Sequence, residues 1–465
     1  MSSWSGRCVV PALLAVTLAA PAAADPRTLP PTFVSLEIEA FPRPAAEACA
    51  DNTQTLPVPV GGSIAAALES AVPGTTVLVE PGRYVERPEE PTALQWDVDN
   101  VCLRAADSGE VILEAAPGQG YGIGIAGDAA VLEGFTLRGF QYGVQLGRDE
   151  GETQRGVTLE RVRVEQLAGE FREGVVAYTD NRFVAGTPAA VDGLLLLDVG
   201  VDGADLGVSC NGGPCYHWWL ERTVVVGRSS SETSGADAFA IEEGRQIVVV
   251  DSTFSGVAAD GIDTKANDVV VFGARVLNVD RNAIKLWRGG DVIDCVVDGS
   301  GADASLVGDQ VGRYRYLHLL VTRHGEGETG YLGTWAYDSP GPGLQLEIIN
   351  SIFRHNATGG FFVPQETQLA LRHNLFDDTS AKLVDVAGDV LMVADLAQLE
   401  AQGWGAGNAV ADALLVDPTS GDYSTQPGSP ARDAGEVVEG LDRDLLGGPR
   451  SLGAGPDIGP VESQP

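Results

Sequence analysis

Three short segments of this chain repeat one another: Asp237-Ala-Phe-Ala-Ile-Glu242, Asp260-Gly-Ile-Asp-Thr-Lys265 and Asn282-Ala-Ile-Lys-Leu-Trp287. Their first residues stand 23 and then 22 positions apart, and Lys265 and Lys285 are two of only three lysines in 465 residues. If each segment is a strand of a stacked coil, alternation of side chains turns Phe239, Ile241, Ile262, Thr264, Ile284 and Leu286 inward. Ala240, Glu242, Asp263, Lys265, Lys285 and Trp287 then face out. The register stacks Asp237 on Asp260 on Asn282, Ala240 on Asp263 on Lys285, and Glu242 on Lys265 on Trp287. Neighbouring strands lie about 4.8 Å apart, so these polar groups can act on one another.

Three kinds of chemistry suit such a cluster. Asp237, Asp260 and Asp263, with Glu242, are oxygen ligands of the kind a calcium ion takes. A uronic-acid polymer could bring its own carboxylate to that cation, which would acidify the C5 proton and open a β-elimination. Lys265 is then the first choice for the base and Lys285 the second, with Lys285 also able to hold substrate or developing charge. Arg281 and Arg288 could hold further carboxylates, and Trp287 could stack on a sugar ring. Trp218 and Trp219, in Tyr216-His-Trp-Trp219, could form a second platform, and Tyr331, Trp335 and Tyr337 a third. The bland alternative is a surface salt-bridge ladder. A general base must also be neutral when it acts, and carboxylates beside Lys265 favour its charged form.

The elements that would position these residues are short β-branched runs separated by Gly, Asn and Asp, such as 157–164, 194–201, 246–254, 268–277 and 292–297. From Asp251 to Gly273 to Cys295 the interval is 22 each time. Units of this length cannot bury an apolar face alone and must stack; they are too short for the blades of a propeller, at about 40–45 residues each. The expectation is an all-β parallel β-helix solenoid.

The segment 63–84, Ser-Ile-Ala-Ala-Ala-Leu-Glu-Ser-Ala-Val-Pro-Gly followed by Thr-Thr-Val-Leu-Val-Glu-Pro-Gly-Arg-Tyr, resembles the opening of secreted right-handed parallel β-helix proteins of the pectate-lyase-like superfamily. The resemblance implies a right-handed, single-stranded parallel β-helix with a short N-terminal capping helix. Leu415-Val-Asp-Pro, Pro427-Gly-Ser-Pro and Gly455-Pro-Asp-Ile-Gly459 resemble the terminal region of the same proteins. Asp260-Gly-Ile-Asp-Thr-Lys265 is similar to the calcium-dependent lyases among them. Those use an Asp-Gly-Phe-Ala-x-Lys coil for the base and an Asp-Asp-Gly-x-Asp coil for the cation. Here Glu242 stands at the lysine position of the first, and Ala259 at the first aspartate of the second. The resemblance implies Asp237, Asp260 and Asp263 as cation ligands and leaves the base unassigned. The Gly-His-Gly and Arg-x-Lys constellation of polygalacturonase-like hydrolases is absent. A glycoside hydrolase built on the aspartates and a non-catalytic carbohydrate-binding or surface adhesion protein remain alternatives.

Composition bounds the partners. A net charge of −35 opposes nucleic acid and anionic membrane, which leaves an acidic or other polysaccharide met at a local basic patch. Residues 1–24 read as a secretory signal peptide, and no later apolar run has the roughly 18 residues of a membrane span. The expected organisation is a 25–54 extension, a 55–400 β-helix and an irregular 401–465 closing segment, in a monomer that is secreted, held at the cell surface or periplasmic. Cys210 with Cys215, and Cys49 with Cys102, are the expected disulfides of an oxidising compartment, and Cys295 reads as a packed residue.

Overall fold

The computed structural model describes Cys49 and residues 51–463, apart from 107–108, 149–150, 179–189, 212, 229–235, 302–303, 326–329, 337–340, 358 and 378–381. The signal-peptide reading, most of the 25–54 extension and Tyr337 lie outside the described residues. The chain winds as a right-handed single-stranded parallel β-helix. Each coil gives one strand to each of three long sheets, here A, B and C, which among the described residues hold 16, 13 and 13 strands. Sheet A begins at Gln54–Val58, sheet B at Gly82–Tyr84 and sheet C at Thr92–Trp96. All contacts between successive coils of the solenoid are parallel; a hairpin of Lys382–Val386 with Asp389–Met392 ends sheet C.

The N-terminal end is closed by helix α1 (Ile64–Glu69), whose Ile64, Ala65 and Leu68 are buried. Ser63 caps it by accepting from the Ala66 N–H, and the Glu86 carboxylate accepts from Ser63 Oγ and from the N–H of Ile64 and Ala65. The orphan donors of the first turn are thereby satisfied. Helix α2 (Leu396–Ala401) lies at the opposite end and buries only Leu399.

Inside sheet C an apolar column rises through Leu94, Ile123, Val144, Val175, Val208, Phe239, Ile262 and Ile284. Each is 0 or 1 % exposed. Burial of such side chains contributes about 1.5–3 kcal/mol apiece, and a one-residue slip would turn the whole column outward.

Register is held at the turn from sheet A to sheet B. There Arg161, Asp198, Arg222, Asp251, Asp294, His318, Asn350 and His373 all take positive φ between 49° and 55°. Gly134 (φ 78°), Gly273 (φ 67°) and Gly407 (φ 67°) do so without a Cβ penalty. The turn also shows where the 22-residue interval fails. Phe272 pairs with Ile293, so Asp294 rather than Cys295 stands beside Gly273. Cys295 lies one step on, next to Ala274, wholly buried and with its thiol pushed up to about 12. At the last coils the residue after the turn builds a ladder: Asn374 Oδ1 accepts from the Ser351 N–H at 3.0 Å, and Asn408 Oδ1 accepts from the Asn374 N–H at 3.0 Å.

The closing segment does more than end the stack, because it runs back along the outside. Leu415, Tyr423, Leu445, Ile458 and Val461 pack on Val296, Leu320, Ile352 and Leu375 of sheet B. Leu441 joins Trp219, Val248, Phe272 and Ile349 on sheet A. Polar anchors follow the positive-φ column: the His318 ring N–H donates to the Gly459 carbonyl, Asn350 donates to the Glu436 carbonyl, and Arg450 pairs with Asp294. The two apolar clusters that join the tail to the solenoid thus lie on sheets A and B.

The disulfides Cys49–Cys102 and Cys210–Cys215 are both formed. No helix among the described residues is long and apolar enough to cross a membrane.

The Arg450–Asp294 pair is 3 % and 0 % exposed, so removing one partner strands a buried charge. Arg450→Met is expected to lower unfolding free energy by about 3–5 kcal/mol in denaturant titration. It should also open the 413–461 segment to limited proteolysis; unchanged stability would refute the anchoring role.

Candidate functional site

The three repeated segments occupy adjacent strands of sheet C, Phe239–Ile241, Ile262–Thr264 and Ile284–Leu286. Their pairing is the register expected from sequence: Ala240 beside Asp263 beside Lys285, and Phe239 beside Ile262 beside Ile284. The six inward residues are at most 1 % exposed. Of the outward set, Ala240 is buried, Glu242 is exposed, and Asp263, Lys265, Lys285 and Trp287 are half-buried.

The carboxylates divide their work. Asp237 Oδ1 accepts the Asp260 N–H at 2.9 Å, and Asp260 Oδ1 accepts the Asn282 N–H at 2.9 Å and its side-chain N–H at 3.0 Å. This column therefore ties coil to coil. Asp263 accepts the Trp287 indole N–H at 2.5 Å and lies 3.6 Å from Lys285 Nζ. Glu242 is ion-paired with Lys265. Among the described residues no group of three or more His, Cys, Asp or Glu is arranged to hold a metal ion. Of the four carboxylates expected as calcium ligands, Asp237 and Asp260 bond backbone amides and Asp263 and Glu242 face lysines.

Trp287 is also placed differently from an open sugar platform. Lys265 Nζ lies 4.8 Å and Lys285 Nζ 4.6 Å from its ring centroid, so the indole serves as a common seat for two ammonium groups. Arg281 and Arg288 are exposed at the two ends of this coil, and Arg281 acts electrostatically on Asp260. Trp218 and Trp219 are not a surface platform. Trp218 is 0 % exposed inside the solenoid and Trp219 6 % exposed beneath the tail, their indole N–H groups donating to the Val191 carbonyl and to Glu221. Their strand belongs to sheet A, where the tail and the core claim both faces. Trp335 is likewise buried.

Burial and then the neighbouring Asp260 charge raise the Asp237 carboxyl to about 7. Burial also raises Asp260 and Asp263, opposed most by the Asn282 N–H in one and by Lys285 in the other.

Reasoning from the repeat missed a second cluster on the same sheet. The third lysine, Lys382, extends over the Tyr331 ring, 4.0 Å from its centroid. Tyr331 Oη donates to Asp385 Oδ2 at 2.5 Å and its ring meets Phe362 at 5.6 Å. The rarity of lysine was the available signal; Lys382 lies outside the 22-residue repeat and was passed over.

A folded carboxyl that titrates near 7, against 3.8 for the free group, holds a proton that the unfolded chain has lost. Stability therefore falls as pH rises from about 4 to 7. Asp237→Asn keeps an acceptor for the Asp260 N–H and removes this titration. Relative to wild type, the variant should gain stability across that window, on the order of a few kcal/mol, then level off. Denaturant unfolding at a series of pH values tests this, and a pH-independent difference would count against it.

No protein-family model and no curated protein matches the sequence. Solved structures with similar folds include a PL6 alginate lyase in complex with a trisaccharide, at 13 % identity and TM-score 0.45, covering 70 % of this chain and 80 % of that one. The pectate lyase Pel9A aligns at 12 % identity and TM-score 0.41, over 90 % of this chain and 100 % of its own. A PL6 family polysaccharide lyase from Pseudopedobacter saltans aligns at 13 % identity and TM-score 0.44, over 82 % and 98 %.

Proposed function

We propose that this is a secreted protein that binds a uronic-acid polysaccharide along the outer face of sheet C and acts on it by β-elimination. One observation carries the reading: all three lysines of a chain with net charge −35 stand on that face, each against an aromatic ring. An acidic protein repels an acidic polymer everywhere except where cations are gathered. The two disulfides suit an oxidising, extracellular setting.

Within the site Lys285 is the better placed to take a substrate carboxylate. It occupies the middle column, and 3.6 Å separates it from Asp263, too long for a strong hydrogen bond. Elimination then requires a neutral base to remove the C5 proton. The electron pair forms the C4–C5 double bond, and the C4 glycosidic oxygen departs and takes up a proton. Lys265 is the residue proposed for the abstraction, with its Glu242 partner as the group that must be displaced first.

The test is a panel of pectate, alginate and glycosaminoglycans, with calcium and with chelator, read by product mass and by absorbance of unsaturated uronide ends. Unsaturated products support the lyase. Binding without products selects a non-catalytic carbohydrate-binding or adhesion role, and saturated reducing ends select a hydrolase. Loss of activity on chelation would bring in a calcium ion. Lys265→Ala should lower turnover by roughly 10²–10⁴-fold with binding kept, and Lys285→Ala should weaken binding by about tenfold or more. A folded Lys265→Ala protein with full activity would remove that residue from the mechanism.

A further inference from the structure

We infer that Tyr331, Phe362, Lys382 and Asp385 form a second uronate-binding centre, and that the polymer runs along the solenoid axis to reach both centres. This rests on the reading of sheet C as the polysaccharide face. Strand pairing fixes the relation between the centres. Lys285 stands beside Val307, Val307 beside Thr334, Thr334 beside Phe362, and Phe362 beside Asp385. Four steps of about 4.8 Å put the two centres about 19 Å apart on one straight outward column. That exceeds the reach of one sugar and suits several consecutive units of a chain. The residues between them, Val307 and Thr334, are short, so no bulky side chain on this column stands between the two centres.

The second centre has two parts that recognition of an acidic sugar needs, an apolar surface and a cation. Phe362 and Tyr331 are half-exposed rings set at 57° to each other, which gives a sugar face an apolar surface. Lys382 supplies a cation for its carboxylate, while Asp385, buried and accepting from Tyr331 Oη and from the Gly388 N–H, holds the phenol in place. The backbone makes room for the lysine. At Gly360 (φ 86°) an added Cβ would come 2.8 Å from Lys382 Cγ, so the stem passes over this glycine on its way to the Tyr331 ring.

The first centre pairs two lysines, an indole and Asp263; the second pairs one lysine, a phenol and Asp385. In both, the aromatic group donates to the carboxylate and seats the ammonium. Tethered occupation of the second centre acts through effective concentration, so its contribution depends on ligand length.

Calorimetric titration with size-fractionated uronate oligomers, from dimers to chains longer than the separation, tests the inference. Wild-type affinity should rise steeply once the oligomer spans both centres. Lys382→Met and, separately, Phe362→Ala should lower long-oligomer affinity by at least about tenfold, while short-oligomer affinity at the first centre is unchanged. Thermal unfolding of each variant checks that it is folded; Phe362, half-exposed, serves if the lysine variant is not. Long oligomers that bind both variants as they bind wild type overturn this inference and leave the reading of Lys265 and Lys285 in place. Equal losses for short and long oligomers assign the cluster to structure and also overturn it. Failure of every oligomer and polymer to bind wild type overturns the functional reading itself.

Discussion

Constancy of register from one coil to the next is the constraint on which everything else in this molecule depends. A parallel stack places residue beside residue at about 4.8 Å, and side-chain alternation converts that placement into an inside and an outside. The inside column of sheet C is apolar at every repeat, and displacement by one residue would bury Asp263 and Lys285 while exposing Ile262 and Ile284. From Gly134 onward the turn between sheets A and B keeps one length from coil to coil, and the differences in coil length fall on the other connections. The positive-φ residue of this turn recurs as Arg, Asp, Gly, His or Asn, and the Asn ladder after it fixes the last coils by side chain to backbone bonds. Local backbone strain at one corner is the counterpart of straight columns on the sheets.

Straight columns make the outer faces distinct surfaces. Sheets A and B carry the returning tail over their lower coils, through Leu441 on one and Leu445, Ile458 and Val461 on the other. Histidine and asparagine of the positive-φ column serve as tail anchors there, which accounts for His318 without any catalytic role. Burial and the Arg450 charge hold its imidazole well below the usual range, as befits a neutral ring that donates to Gly459 and accepts from Asn350. Sheet C takes the three lysines instead. On it the lysines are held by aromatic faces and by carboxylates, an arrangement that keeps ammonium groups in place within a strongly negative protein and leaves them able to exchange one carboxylate partner for another.

Among particular residues, the repeat at 237–287 was legible because a constant interval and alternation are both one-dimensional properties. Phe239, Ile262 and Ile284 inward, with Asp263 beside Lys285, needed no further information. The backbone bonds of Asp237 and Asp260 were not legible. Asp237 and Asp260 point along the stack toward the next backbone N–H, a local preference of Asp at turns that competes with any ligand role. Trp219 read as exposed because its cover is a segment more than 200 residues later in the chain, and Trp218 because its alternation into the solenoid was not read.

The sequence by itself determined the solenoid, the inward and outward sets of sheet C, the capping helix and the two disulfides. The solenoid and the two sets follow from spacing and period, the disulfides from pairing of cysteines, and the capping helix from the resemblance of residues 63–84. Only the tertiary structure decided which faces stay free of the tail, that Trp287 is shared by two lysines, and that Lys382 joins them on one face through Tyr331. Those outcomes depend on contacts between residues far apart in sequence, where side-chain reach, the bare backbone at Gly360 and the path of the tail set the result. Periodicity carries no record of any of them.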